Sequence, residues 1–470
     1  MTETLRCDVA VIGAGTAGLA AERAARAAGA TTLLIDPDYA GTTCATVGCM
    51  PSKLLIAASH AAHAARSTDM FGISVGDVAI DGRAVMQRVR DERDRFARLT
   101  RENIDDIPDG IRLTGRAMFV APDRLRLDDG RDIAAERIVI ATGSSPFVPD
   151  QYAALGKLAL TNETLFELDD LPTRLAVVGS GSIGLELAQA LARLGVDVTL
   201  FDRGNRLGGI RCDKVHSALR DIISDDLTLR LGVEIVATAT DDGVTLAWTG
   251  SSSGKADFDH VLVATGRPPN LDSLNLKASG LALDDHGVPL HDRATMRCRD
   301  SAIFLAGDVA SDLPLLHEAS HDGAIAGRNA VAHPASIEAD RFTAFSITFT
   351  SPPVARIGQS EDEGVITGTA DFSDQGRARV EGTNRGVLTL YAAAPDGRLI
   401  GADLCSPESE HLAHMLAWAV QQGQTATDLL EMPFYHPTVE EGLKQALRTI
   451  CGATPLPLPE DQDGGTPPGA

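Results

Sequence analysis

A glycine-rich unit occurs twice in this chain, and it constrains the fold more than any other feature. The first copy, "CDVAVIGAGTAGLAAERAARAAGATTLLID", runs from an apolar strand through a G-x-G-x-x-G turn and an alanine-rich stretch to Asp36. The second, "LAVVGSGSIGLELAQALARLGVDVTLFD", repeats this plan and ends at Asp202. In both copies, 17 residues separate the third glycine from the acid. The pattern predicts two Rossmann-like units. Their glycines are Gly13, Gly15 and Gly18 in the first copy and Gly179, Gly181 and Gly184 in the second.

The residue types in each copy suit a dinucleotide. The first glycine makes a tight turn, the second lets a pyrophosphate approach the backbone, and the third lets helix and strand pack closely. The helix N-terminus offers N–H groups to the phosphate, and the final acid can accept hydrogen bonds from a ribose. Alternatively, both could be packing turns without a ligand. Because both follow a strand and end at an acid, we expect two dinucleotides and electron transfer between them.

Three further apolar strands accompany these units. "IVIATGSSP" (138–146) and "VLVATGRPPN" (261–270) each break at Ala-Thr-Gly, one after each glycine-rich copy. "IFLAGDVA" (303–310) ends in Gly-Asp. Ligands of α/β sheets bind at the carboxyl ends of the strands, so we expect cofactor contacts there. The residues concerned are Thr142, Gly143, Gly266 and Asp308.

The segment "GTTCATVGCMPSK" (41–53) holds two of the seven cysteines, Cys44 and Cys49. The residues that follow predict a helix with Pro51 in its first turn, so the pair lies near a helix N-terminus, where thiolate is favoured. Two such thiols beside an electron carrier indicate a redox-active disulfide, and the alternative is two unrelated thiols. The other cysteines are scattered, and most of them are expected to be buried and inert.

The segment "FYHPTVEE" offers a proton-transfer group for thiol–disulfide exchange. His436 could act as a base and Glu441 as the carboxylate that orients it. Thr438 and Glu441 also form the pattern of a capping box for the helix predicted in "VEEGLKQALRTI". Spacing alone does not decide between these two interpretations. The apolar stripe of that helix comprises Val439, Leu443, Ala446, Leu447 and Ile450.

Taken together, these motifs resemble the FAD-dependent pyridine nucleotide–disulfide oxidoreductases, whose usual segments are close to GGTCxNxGCxPSK and HPTxxE. The motifs match in order over nearly the whole chain, and the greatest similarity is to dihydrolipoamide dehydrogenases. "EHLAHMLAWAVQQG" and "MPFYHPTVEEGLKQAL" contribute to it. The chain departs from the family at Asp36 (often Glu), Thr42 (usually Gly), Thr46 (usually Asn) and Tyr435 (often His or Ala). The last three could reshape the substrate mouth.

The resemblance implies which cofactor each unit takes. The first glycine-rich unit would bind FAD, with Asp308 on the ribityl chain, and the second would bind the nicotinamide cofactor. Asp202 should bond the adenosine ribose and repel a 2′-phosphate, which favours NAD. Arg203 and Arg206 could instead accept that phosphate, so NADP stays open.

The resemblance also implies catalytic roles. Cys49 would face the flavin, and Cys44 would exchange with the substrate. Lys53 and Glu186 would pair near the flavin and nicotinamide, although Glu186 could also be an exposed helix carboxylate. HPTxxE favours catalysis by His436, which in this family enters the site of the partner subunit. An obligate homodimer is therefore expected.

The expected reaction carries electrons from a dithiol, a lipoyl group above all, through the disulfide and FAD to NAD⁺. A 2-oxo acid dehydrogenase complex is a possible partner. The alternatives are an NAD(P)H-dependent reductase of a glutathione-type or other small disulfide, and a non-catalytic flavin-binding or redox-sensing protein. Mercuric reductases and large thioredoxin reductases normally carry an extra C-terminal cysteine pair, whereas only Cys451 lies near this end.

Composition excludes other classes. A net charge of −23 argues against nucleic acid and anionic membranes as partners. The N-terminus lacks the basic segment of a signal peptide, so a cytoplasmic location is expected. "HEASH" (317–321) matches a zinc-protease motif but has no evident third ligand, and no metal is expected. The tail 454–470 is rich in Pro, Gly and acid and is expected to be disordered.

The predicted fold class is α/β: two Rossmann-like dinucleotide-binding domains, for FAD and NAD, followed by a C-terminal α+β dimerisation domain. Four parts are predicted. They are 1–150 for FAD binding, 151–276 for NAD(P) binding, 277–343 as a central part completing the FAD site, and 344–470 as the interface domain with its tail.

Overall fold

The computed structural model describes residues 4–360 and 362–455, so nearly all of the predicted disordered tail lies outside the described residues. The strands are β1 Leu5–Ile12, β2 Thr32–Asp36, β3 Arg112–Thr114, β4 Ala117–Ala121, β5 Arg124–Leu127, β6 Asp132–Ile140, β7 Ala159–Leu160, β8 Arg174–Val178, β9 Asp197–Asp202, β10 Thr228–Leu231, β11 Val233–Thr240, β12 Gly243–Gly250, β13 Gly254–Phe258, β14 His260–Val263, β15 Ile303–Leu305, β16 Phe345–Thr348, β17 Val354–Gly358, β18 Val365–Asp371, β19 Val387–Ala393 and β20 Arg398–Cys405. The helices are α1 Thr16–Ala27, α2 Thr43–Thr46, α3 Cys49–Arg66, α4 Gly82–Asp105, α5 Asp150–Ala153, α6 Ser182–Arg193, α7 Asp213–Asp226, α8 Leu276–Ser279, α9 Leu316–Ala332, α10 Gly376–Glu381, α11 Ser409–Gln421, α12 Ala426–Leu430 and α13 Leu443–Gly452.

A first compact unit combines three chain segments, up to 51, 89–147 and 266–342. Its seven-stranded sheet has the order β3-β2-β1-β6-β5-β4, and β15 also pairs with β6. The strands β1, β2, β3, β6 and β15 run parallel. Parallel strands are covered on both faces, which explains why the apolar runs of β1 and β6 are buried. The predicted α/β class is confirmed here.

Helices α1 and α9 pack against each other in this unit through their backbones. A Cβ atom added at Gly323 of α9 would lie 2.1 Å from the carbonyl oxygen of Ala17. One added at Gly327 would lie 2.3 Å from that of Ala21. Glycine on α9 and alanine on α1 are therefore needed for this close approach.

A second compact unit combines residues 52–88, 148–265 and the chain from 343 on. It contains a parallel five-stranded sheet of order β10-β9-β8-β14-β7 and an antiparallel sheet β11-β12-β13. The second glycine-rich copy provides strands β8 and β9 of the parallel sheet and helix α6 between them. Both copies thus form the predicted strand–helix–strand arrangement. The four-part division of the chain stays a prediction.

The C-terminal sheet of this second unit is antiparallel, with the order β16-β17-β20-β19-β18. Helix α11 packs on β17 and β20, and α13 packs on β18. The predicted apolar stripe is buried, but the helix starts as a 3-10 turn over Val439–Gly442 before α13, as helix N-termini often do. No helix in the described residues is long and apolar enough to cross a bilayer.

Candidate functional site

The first glycine turn connects β1 to α1. Gly13 has φ +103°, and a Cβ atom added there would lie 2.4 Å from the oxygen of Ala141. A Cβ atom at Gly18 would lie 1.7 Å from the oxygen of Gly13, whereas one at Gly15 meets no atom within 4 Å. Packing therefore requires the first and third glycines, and the second faces open space.

The second turn, between β8 and α6, repeats this geometry. A Cβ atom at Gly179 (φ +107°) would lie 2.3 Å from the oxygen of Ala264, and one at Gly184 would lie 1.9 Å from the oxygen of Gly179. Gly181 again faces open space. Both helices begin without a side-chain cap. Space beside the second glycine and uncapped helix N–H groups fit the pyrophosphate of a dinucleotide at each turn.

The acid that ends each copy holds the turn in place. Asp36 Oδ2 accepts the N–H of Ala14 at 2.8 Å. Asp202 Oδ2 accepts both the N–H and the hydroxyl of Ser180 at 2.7 Å. Each acid therefore bonds the residue between the first two glycines, a contact that the sequence did not reveal. Their predicted bonds to a ribose stay predictions.

Asp308 follows β15 in the first unit and is half-buried. Its Oδ2 accepts a hydrogen bond from the Ser144 hydroxyl at 3.0 Å. Arg267 donates to the carbonyl oxygen of Ser144 at 2.6 Å. Ser144 and Arg267 were not among the predicted site residues, and both flank predicted ones.

The other predicted strand-end residues lie where residues 142–147 and 266–270 pair. Thr142 Oγ1 donates to the carbonyl oxygen of Asn270 at 2.7 Å, and the Asn270 N–H donates to Gly143. The Phe147 N–H donates to the oxygen of Gly266. Both strands end directly before Ala-Thr-Gly, as predicted, since β6 ends at residue 140 and β14 at 263.

The cysteine pair lies on two consecutive helices, and both cysteines belong to the first unit. Cys44 is half-buried on α2, and the exposed Cys49 begins α3, so the predicted place at a helix N-terminus is confirmed. A Cβ atom at Gly48 would lie 2.9 Å from the oxygen of Thr43, which shows how tightly the connection turns.

The remaining cysteines are all buried, as predicted for most of them. Burial raises the pKa of the Cys7, Cys298 and Cys405 thiols to about 12. Thiols with such pKa values supply almost no thiolate at neutral pH. Among the seven cysteines, Cys44 is half-buried, Cys49 is exposed and the other five are buried.

Lys53 and Glu186 form an ion pair in the second unit. Lys53 Nζ lies 2.7 Å from Glu186 Oε2, although 133 residues separate them in sequence. Glu186 Oε1 accepts the N–H of Phe349 at 2.9 Å, and Lys53 Nζ lies 4.3 Å from the centre of the Phe349 ring. Glu186 is buried rather than exposed on its helix, and the predicted pairing is present.

His436 and Glu441 also meet in the second unit. His436 Nδ1 lies 3.1 Å from Glu441 Oε2, and the same oxygen accepts the N–H of Thr438 at 3.1 Å. Glu441 is buried, while the His436 ring is exposed. One carboxylate thus caps the turn and also contacts the imidazole, and the role of His436 as a base stays a prediction.

The arginines beside Asp202 are engaged elsewhere. Arg203 forms an ion pair with Glu234 at 3.1 Å. Arg206 donates to the carbonyl oxygens of residues 210 and 211 and pairs with Asp213.

The H-E-x-x-H motif has a structural explanation. Glu318 lies on α9 with only 1% of its surface exposed, and its carboxylate is 2.6 Å from the guanidinium of Arg341. In the described part of the chain, no cluster of three or more His, Cys, Asp or Glu side chains is arranged to hold a metal ion.

Comparison with known proteins identifies the family. Residues 7–323 match the model of the pyridine nucleotide-disulphide oxidoreductases, and residues 344–447 match the dimerisation domain of the same family. The dihydrolipoyl dehydrogenase of Halobacterium salinarum is 30% identical over 95% of this chain and 96% of its own length. The mercuric reductase of Acidithiobacillus ferrooxidans is 33% identical over 94% of this chain and 82% of its own length.

Solved structures share the fold. The HOCl-induced flavoprotein disulfide reductase RclA from Escherichia coli superposes with a TM-score of 0.80 at 24% identity, over 94% of this chain and 99% of that one. LpdA from Mycobacterium tuberculosis also gives a TM-score of 0.80 at 24% identity, over 95% of this chain and 99% of that one.

The chain therefore belongs to the pyridine nucleotide-disulphide oxidoreductases, a family of flavoenzymes. Members use FAD and NAD(P), which agrees with the two glycine turns. The dimerisation domain supports a homodimer.

Proposed function

We propose that this protein is a dihydrolipoamide dehydrogenase that passes electrons from a reduced lipoyl group to NAD⁺. The observation that carries the proposal is the retained set of Cys44, Cys49, His436 and Glu441, with the imidazole held 3.1 Å from its carboxylate. The 30% identity with dihydrolipoyl dehydrogenases along almost the whole chain supports it.

In this proposal His436 takes a proton from the substrate. Glu441 accepts from Nδ1, so Nε2 is the basic nitrogen. The substrate thiolate then attacks Cys44 Sγ, the Cys44–Cys49 bond breaks, and Cys49 leaves as a thiolate. The second substrate thiol displaces Cys44 and closes the substrate disulfide.

Two dinucleotide sites complete the scheme. When bound, FAD would supply the two-electron chemistry that links the dithiol to NAD⁺. The turn at Gly15 would hold the FAD pyrophosphate, with Asp308 on the ribityl chain, and the turn at Gly181 would hold NAD⁺. Lys53 and Glu186 would keep the charge between the two sites balanced. Asp202 and the engaged Arg203 support NAD⁺ over NADP⁺.

The proposal includes a homodimer in which His436 of one subunit serves the cysteine pair of its partner, as the family resemblance implies. A cytoplasmic 2-oxo acid dehydrogenase complex would supply the lipoyl group. Co-purification with lipoylated protein tests this part separately from catalysis.

The decisive assay is steady-state oxidation of dihydrolipoamide with NAD⁺ and NADP⁺ in parallel. We expect turnover with NAD⁺ that Cys44→Ser abolishes and that Cys298→Ala, at a buried thiol, retains. Undiminished turnover in Cys44→Ser would exclude the disulfide mechanism. Absence of turnover with every disulfide tested would leave a flavin-binding or sensing protein instead.

A second candidate is an NAD(P)H-dependent reductase of another small disulfide. The observation that favours it is the set of departures at Thr42, Thr46 and Tyr435, of which Tyr435 is 82% exposed directly before His436. A flavin that NADH reduces, together with negligible dihydrolipoamide turnover, would favour this candidate. Mercuric reduction is less well supported, because Cys451 is buried.

A further inference from the structure

A buried ionic network lies at the start of α9. Glu318 and Asp322 are one helical turn apart and are 1% and 5% exposed. The Nη2 atom of Arg341 lies 2.6 Å from a carboxylate oxygen of each. One guanidinium thus lies within ion-pair distance of two buried carboxylates.

Only one of these carboxylates reaches the loop after β15. Asp322 Oδ2 accepts the N–H of Gly307 at 3.2 Å. The loop is sterically confined, because Gly307 has φ +80° and an added Cβ atom would lie 2.7 Å from the side chain of Ala17. Asp322 therefore connects Arg341 to a peptide whose conformation favours glycine.

The Gly307 peptide leads directly to Asp308. The Asp308 carboxylate also accepts a hydrogen bond from the Ser144 hydroxyl at 3.0 Å, which orients it. A contact that fixes the Gly307 peptide limits where the Asp308 side chain can point. Ordering such a group before the ligand arrives lowers the entropy lost on binding.

We propose that Asp322, held by Arg341, is a positioning residue for the FAD site: it fixes the Gly307 peptide and so aims Asp308 at the ribityl chain. This inference rests on the proposed role of Asp308. A hydrogen bond to a charged, buried acceptor is stronger and more directional than a neutral one, which suits a positioning role.

The chain offers a matched control. Glu318 shares the helix, the burial and the arginine partner of Asp322, but the Gly307 N–H bonds to Asp322. Asp322→Asn and Glu318→Gln each remove one buried charge and leave Arg341 with one carboxylate. The two variants therefore differ in the hydrogen bond to the loop.

The experiment measures the FAD dissociation constant of the holoprotein from the FAD fluorescence that appears on dilution. Unfolding in saturating FAD is followed by circular dichroism. We expect Asp322→Asn to raise the dissociation constant about tenfold, as for one charge-assisted hydrogen bond, and Glu318→Gln to change it less than about twofold. In an Asp308→Asn background, Asp322→Asn should add little, because the two changes act on one contact.

Equal effects of Asp322→Asn and Glu318→Gln on FAD binding would overturn the inference and assign the network to helix packing. So would a lowered unfolding midpoint with an unchanged dissociation constant. If Asp308→Asn weakens FAD binding and Asp322→Asn does not, the positioning role alone is wrong. If Asp308→Asn leaves FAD binding unchanged, the proposed role of Asp308 is wrong, and the inference falls with it.

Discussion

The two glycine-rich units share a turn but differ in what their helices touch. Two positions after the third glycine, α1 has Ala20 and α6 has Glu186. Ala20 lies against α9, where a Cβ atom at Gly323 would be 2.9 Å from the alanine methyl. Glu186 instead carries the ion pair with Lys53 and the N–H of Phe349. This face of α1 therefore packs closely against apolar residues, whereas the same face of α6 makes polar contacts.

This comparison separates what the turn does from what the helix does. The turns have equal geometry, since Gly15 and Gly181 both face open space. The turn therefore specifies a dinucleotide in general. A single position further along the helix determines whether that face serves packing or holds charged groups near the proposed path of the electrons.

The largest expected effect comes from the glycine that closes each turn. In Gly18→Ala or Gly184→Ala the new Cβ atom would lie 1.7 Å or 1.9 Å from a backbone oxygen that cannot rotate away. We expect each variant to lose at least about 3 kcal/mol of unfolding free energy. Denaturant unfolding measures this, and a smaller loss in one unit would show that its turn can relax.

The second glycines should separate the two cofactors. Gly15→Ala meets no protein atom within 4 Å, so stability should hold while FAD binding weakens about tenfold. Gly181→Ala should raise the KM for NAD⁺ about tenfold and leave the FAD content unchanged. FAD per chain and NAD⁺ kinetics measure both. If Gly15→Ala instead raised the KM for NAD⁺ and Gly181→Ala weakened FAD binding, the assignment of the two sites would be reversed.

The polar face of α6 provides a smaller effect. Removing the carboxylate in Glu186→Ala should slow flavin reduction by NADH severalfold. Because Glu186 is buried and also accepts the N–H of Phe349, its loss should cost about 1–3 kcal/mol of stability. Glu186→Gln keeps an acceptor for Phe349 and serves as the control in stopped-flow absorbance. Unchanged rates in both variants would make the ion pair purely structural.

The smallest effect concerns cofactor preference at the second site. Glu234→Gln should release Arg203 and improve kcat/KM for NADP⁺ about two- to threefold, with little change for NAD⁺. The double variant Glu234→Gln with Arg203→Gln should return to the original preference. A gain that persists in the double variant would mean that Arg203 is not responsible.

Local patterns predicted much of this molecule. The strands, both glycine turns and the helix after the cysteine pair follow from residue order within a few turns of chain. The two interpretations of Glu441 were left open because the same T-x-x-E spacing serves both a capping box and a carboxylate that contacts a histidine. The sequence could not show that both partners bind at once.

Long-range contacts were harder to predict. The Lys53–Glu186 pair came only from resemblance, because no local pattern joins residues 133 positions apart. The network of Arg341 was missed altogether. Its one signal was the pair of acids at 318 and 322 on a single helix face, which required a basic partner from elsewhere in the chain.

The discontinuous first unit has a consequence for biosynthesis. The N-terminal strands and α1 emerge from the ribosome early, yet β15 and α9, which complete their sheet and helix packing, are encoded after an intervening stretch of more than a hundred residues. At synthesis rates of about 5–20 residues per second, α1 waits about 15–60 s for its partner helix. The nascent chain therefore exposes an alanine-rich apolar face throughout that interval, which makes early release or truncation before α9 an aggregation hazard.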